Sequence, residues 1–242
     1  NVCINTTTAA HSFTLTGGNL TSDVTVGALA GYSYSTTSGG TYTSTLTLVP
    51  SSGNLSQTVF VKFNPTLVQS YGGNIIISGG GIATNANVVA SGSGVNTPPT
   101  LSSNGTAGSI TSSGATITGS TISALGCSAI TAYGIEYSTT SGFTGGTGTQ
   151  VAGTGFSGSA GGTFSTVLSG LSPSTTYYYR AYATNSGGTT YFSTVSNFTT
   201  ACAAEAAPTS VQTFATFTGT APNPICWSEA TVAVPTNSTL TA

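Results

Sequence analysis

From Tyr177 the chain alternates with a period of two. Tyr177, Tyr179, Ala181 and Ala183 share one face, and Tyr178, Arg180, Tyr182 and Thr184 the other. That pattern predicts a long strand with one buried face. It is preceded by a corner at Leu171 and Pro173, and followed by a turn at Asn185-Ser-Gly-Gly188 and another strand over 190–199. The same reading predicts short strands at Phe13–Leu15, Val24–Val26, Gly31–Ser35, Thr45–Val49, Thr58–Phe63, Asn74–Ser78 and Asn87–Ala90. Further strands are expected near 107–111, 115–122, 131–138, 149–153 and 163–169. No stretch of the first half has a helical period. Short strands separated by Gly, Asn and Pro turns indicate β-sandwiches. Val95-Asn-Thr-Pro-Pro-Thr100 reads as a linker, because two prolines force extended chain and cannot pair in a central strand.

The expected fold class is therefore all-β: two tandem β-sandwiches and a short C-terminal β extension. Residues 1–95 form the first, 96–100 the linker and 101–201 the second. Residues 202–242 are a two-strand extension or a truncated third module. In that extension Val211–Phe217 and Ala230–Val234 read as strands, with Cys226 and Trp227, the chain's single tryptophan, between them. Gly31-Tyr-Ser-Tyr-Ser-Thr-Thr-Ser-Gly39 lines up with Gly134-Ile-Glu-Tyr-Ser-Thr-Thr-Ser-Gly142. This predicts one strand and turn at the same point of both sandwiches, through common ancestry or convergence on a Thr-Ser-Gly turn.

Leu171-x-Pro173-x-Thr175-x-Tyr177, followed by Tyr179-x-Ala181-x-Ala183-x-Asn185, resembles strands E, F and G of a fibronectin type III domain. The resemblance implies that Tyr177 packs inward while its hydroxyl bonds upstream backbone. Residues 12–95 resemble the immunoglobulin-like modules of large secreted proteins of Bacteroidetes-type bacteria. The residues that carry this are Ser12-Phe-x-Leu-x-Gly-Gly-Asn-Leu-Thr21, Tyr34-Ser-Thr-Thr-Ser-Gly39, Val61-x-Phe-Asn-Pro65, Tyr71-x-Gly-Asn-Ile75 and Val89-x-Ser-Gly-x-Gly94. That family implies spacing and adhesion. Pro208 with Phe214, and Cys226-Trp227, resemble the opening of jelly-roll modules of the same surface proteins.

Composition narrows the function classes. Among 242 residues only Lys62, Arg180, Asp23, Glu136, Glu205 and Glu229 are charged, beside His11. Soluble domains ordinarily carry about 25% charged residues, against 2% here. Two isolated cations cannot neutralise a phosphate track, which argues against nucleic acid. No apolar run approaches the ~20 residues that span a bilayer, so membrane insertion is not expected. A net charge of -2 gives little repulsion and favours association with self, neighbouring modules or a surface. Asn1-Val-Cys3 reads as a mature or excised start without a signal-peptide pattern, and the composition fits an exported, oxidising setting.

Chemistry is thinly provided for. His11 and Asp23 fall on separate predicted elements, and no serine has a G-x-S-x-G context. Glu136, Glu205 and Glu229 do not form an evident carboxylate pair. Glu136 and Arg180 are expected as an outward cross-strand pair worth about 0–1 kcal/mol. No metal-ligand spacing or phosphate loop occurs. No catalytic residue, cofactor or metal is expected. For the four cysteines, Cys202–Cys226 is the first choice. Cys3 and Cys127 either pair with each other or Cys3 pairs outside the chain, and free thiols are the remaining option. Tyr178, Arg180, Tyr182 and Phe192, with Phe214, Phe217 and Trp227 of the tail, are the candidate interface residues. The outward aromatics either stack on a partner or surface glycan, or lie under a neighbouring element. The expected function is a structural or adhesive unit of an extracellular bacterial filament or surface adhesin. The alternative is a non-catalytic spacer or carbohydrate-binding segment of a large secreted enzyme.

Overall fold

The computed structural model describes residues 1–203, and all its regular elements are strands. The first eight are β1 (Val2–Cys3), β2 (His11–Gly17), β3 (Val24–Val26), β4 (Tyr32–Ser35), β5 (Leu46–Leu48), β6 (Leu55–Phe63), β7 (Ser70–Gly79) and β8 (Ala86–Val95). They form one sheet in the order β1-β8-β7-β3-β5 and a second in the order β2-β6-β4. Strand alternation turns Val26, Tyr34, Val59 and Ile75 inward, where they are almost wholly buried.

The other eight are β9 (Thr100–Gly108), β10 (Gly114–Ala124), β11 (Ala132–Ser138), β12 (Thr149–Ala152), β13 (Gly162–Ser169), β14 (Thr176–Asn185), β15 (Gly188–Tyr191) and β16 (Ser196–Thr199). Here the sheets are β13-β10-β9 and β12-β11-β14-β15, with β16 also paired to β14. Their core gathers Ile117, Ile122, Ile135, Phe164, Leu168 and the inward face of β14. The two apolar cores share no residue.

Tyr177, Tyr179, Ala181 and Ala183 are all buried, as the alternation requires. The Tyr177 hydroxyl accepts the Ser172 N–H at 2.9 Å, closing the corner. A second such corner appears in the first half, where the Tyr71 hydroxyl accepts the N–H groups of Thr66 (3.2 Å) and Leu67 (3.0 Å).

Two expectations change. The strand expected at 107–111 begins at Thr100, directly after the prolines, and ends at Gly108. Its Asn104 is buried, and its Oδ1 accepts the Ala181 N–H at 2.7 Å. A side-chain amide thus substitutes for apolar packing, and composition gives no sign of it. The strand expected over 190–199 divides into β15 and β16, both on β14. The Gly31–Gly39 and Gly134–Gly142 repeat places a strand and turn at corresponding points, as expected: Tyr34 pairs with Val61 on one side and bridges Thr43 on the other, as Tyr137 pairs with Tyr179 and with Thr149.

Buried tyrosines give the fold a pH limit. Burial, then the neighbouring Tyr32, pushes the Tyr34 hydroxyl up to about 12. Burial also raises Tyr32, Tyr179 and Tyr182. An unfolded tyrosine ionises near 10, so between pH 10 and 12 the unfolded chain holds fewer protons than the folded one. Stability is therefore fully retained below pH 10 and falls as pH rises through that window. Urea midpoints measured from pH 8 to 12 should be flat and then decline, and Tyr34→Phe should make the decline shallower. A flat profile to pH 12 would contradict this.

Candidate functional site

Two regions concentrate the polar chemistry of the described residues: the outer face of β14 and the stretch between the two cores. The residues considered for catalysis do not come together. His11 begins β2 and is exposed, while Asp23 precedes β3. Among the described residues no group of three His, Cys, Asp or Glu side chains converges. Glu205 and Glu229 lie outside the described residues.

The outer face of β14 is covered by the chain itself. Glu136 stands opposite Arg180 in the β11–β14 register, as expected. The expected exposed ion pair is nevertheless absent, because Glu136 is 0% exposed. The glycine-rich turn before β12 folds over it. The Glu136 carboxylate accepts the Gly146 N–H at 3.0 Å and the Gly148 N–H at 2.7 Å. A buried carboxylate needs such donors, and these two are fixed in place by the turn. Gly146 has φ +89°, which favours glycine, and a Cβ on Gly148 would sit 2.9 Å from Glu136 Cγ. Arg180 reaches past the carboxylate. Its Nη2 donates to the Phe143 carbonyl, and its guanidinium lies 4.7 Å from the Phe143 ring centre.

This packing corrects the picture of an exposed aromatic stripe. Tyr182 is buried beside Tyr191, Tyr178 and Arg180 are half-buried, and Phe143 is buried against Arg180. Phe192 packs against the core rather than outward. The reason is the turn over 142–148, whose glycines allow backbone to lie close on the sheet. Phe214, Phe217 and Trp227 lie outside the described residues.

The second region is the junction. Cys3 and Cys127 form a disulfide with Cα atoms 5.3 Å apart, across 124 residues of sequence. β1 brings Cys3 there by pairing parallel to β8, Val2 opposite Gly94 and Cys3 opposite Val95. The linker is held along its length instead of running free. Thr97 O accepts the Cys127 N–H at 3.0 Å and Asn185 Nδ2 at 3.0 Å. Asn96 Nδ2 donates to Ser186 O at 3.0 Å, and Pro99 is fully buried. Gly126 and Gly187 permit the contact: a Cβ on either would come within 2.3 Å and 2.6 Å of Thr97 backbone atoms. Cys202 also belongs to a disulfide. The expected pairing with Cys226 involves a residue outside those described.

No family model matches the chain, and no curated protein matches it. Among solved structures, the FN1–FN3 domains of chicken CNTN1 match with a TM-score of 0.31 and 14% identity. The match covers 83% of this chain and 64% of that one, so the chain spans less than two thirds of its neighbour. A likeness this distant carries no argument about function. Strand pairing and burial define the class: an all-β protein of immunoglobulin-like and fibronectin type III-like sandwich fold.

Proposed function

We propose that the chain is a structural or adhesive building unit of an extracellular bacterial filament or surface adhesin, self-associating through residues 203–242. In this reading residues 1–95 and 101–201 are two modules held in fixed relation. The observation that carries it is the junction, where a disulfide and a hydrogen-bonded linker tie one core to the other. A tie of this kind serves a part that must keep its geometry, and the disulfide suits an oxidising setting. Near-neutral charge removes the long-range repulsion that would keep copies apart. The aromatic face of β14 is taken up internally by the turn over 142–148.

The test is negative-stain microscopy of the full chain and of a chain lacking 203–242 that also carries Cys202→Ser. The full chain should polymerise and the shortened one should not. Normal polymers from the shortened chain would overturn the role given to 203–242. The junction also favours a second reading, a non-catalytic spacer of a large secreted enzyme. Single particles from the full chain at all concentrations would select it.

A further inference from the structure

The first sandwich is open along one side. β2 pairs with β6 on one edge and, among the described residues, with nothing on the other. β8 pairs with β7 along its length, but its outer edge is taken up only at Gly94 and Val95, by β1. Between these edges lies a cleft of about 430 Å³, lined by Phe13 of β2, by Val88 and Ala90 of β8, and by Val61, Phe63 and Ile75. Phe13, Leu15, Val88 and Ala90 face the core yet are only partly buried, whereas Val26, Tyr34 and Val59 on the closed sides are 0% exposed. No Asp, Glu, Lys or Arg lines the cleft. Apolar lining flanked by unpaired strand edges is what an extended peptide satisfies, with side chains below and backbone hydrogen bonds at the edge.

We propose that this cleft receives residues 230–234 of a second copy of the chain, inserted as an additional strand along β2. The inference rests on the polymer reading above and supplies its acceptor site. Ala230-Thr-Val-Ala-Val234 places Ala230, Val232 and Val234 on one face. Small and β-branched side chains suit a cleft whose floor already holds two phenylalanine rings. Val211–Phe217 fits less well: Phe214 and Phe217 fall on opposite faces, so either orientation turns one ring away. The direction of departure favours another copy as donor. β16 pairs Thr199 with Thr176, at the end of β14 away from Asn185, and Asn185 is the residue that grips the linker. The tail thus leaves the second sandwich at the end remote from the first. To reach its own cleft it would first retrace β14, ten residues and about 33 Å at roughly 3.3 Å each.

The test uses the full chain with a photo-crosslinking amino acid at Val232, mixed with isotope-labelled chain so that bonds between copies are distinguishable. Crosslinks from one copy to Phe13, Val88 or Ala90 of another are expected. Crosslinks confined to one copy, or placed elsewhere, overturn the proposal. In parallel, Ala90→Trp fills the cleft, and Asn87→Trp puts the same bulk on the exposed face of the same strand, outside the cleft lining. Loss of assembly in the first with retention in the second is expected, with thermal melts confirming both are folded. Wild-type assembly by a folded A90W chain overturns the proposal. Polymers that crosslink elsewhere remove the cleft but leave the polymer reading standing, while an unassembled wild-type chain removes both.

Discussion

Replacing Cys3 and Cys127 by serine should lower the unfolding free energy by about 4–5 kcal/mol, the chain-entropy value for a loop longer than about 100 residues. The bond closes 124 residues, so its loss releases most of the freedom such a cross-link removes from the unfolded chain. The cores share no side chain and meet through the linker and its hydrogen bonds. The cooperative transition should therefore divide in two, one for each core, once the bond is gone. Calorimetry of the wild-type chain and of the Cys3→Ser, Cys127→Ser chain reads both effects. An unchanged midpoint and a single transition in the double variant would show that the linker alone couples the cores.

Glu136→Ala should strongly destabilise the second sandwich. It leaves the Gly146 and Gly148 N–H groups without their acceptor, which costs about 1–3 kcal/mol for each donor that stays buried. Relief comes only by lifting the turn, which exposes Tyr182 and uncovers Phe143. Glu136→Gln should fall between: its amide offers one acceptor, and its NH2 faces the other N–H. Amide hydrogen exchange should speed up at Gly146 and Gly148 in both variants, more in the alanine one. Protection equal to wild type in Glu136→Ala would mean the turn is held by Arg180 and Phe143 without the carboxylate.

The parts of the fold legible in sequence are those written in local periodicity. The two faces of β14, its corner at Tyr177 and the opposition of Glu136 and Arg180 follow from alternation and neighbouring strands. The Tyr71 corner carried a comparable signal, since Pro65 precedes the tyrosine as Pro173 precedes Tyr177, but the spacing differs. What escaped depends on where backbone doubles back. Glu136 sits on a strand whose pattern says outward, and a distant glycine turn decides that outward is still buried. Asn104 and Asn185 look like turn residues, yet both are buried and bond backbone about 80 residues away or more. Cys3 meets Cys127 because a two-residue parallel strand delivers it, and two residues are too few to register as periodicity.

The cross-link also sets which bonds carry tension. A pull transmitted along the backbone from before Cys3 to beyond Cys127 crosses through the sulfur atoms. Residues 4–126, which carry β2 to β8, the linker, and β9 and β10 of the second sandwich, hang in a covalent loop outside that line. About 400 Å of chain, at roughly 3.3–3.6 Å per residue, is thereby withheld from stretching. The first sandwich is loaded only through what grips its surface, so its open side can engage or let go without the strain of a stretched backbone running through it.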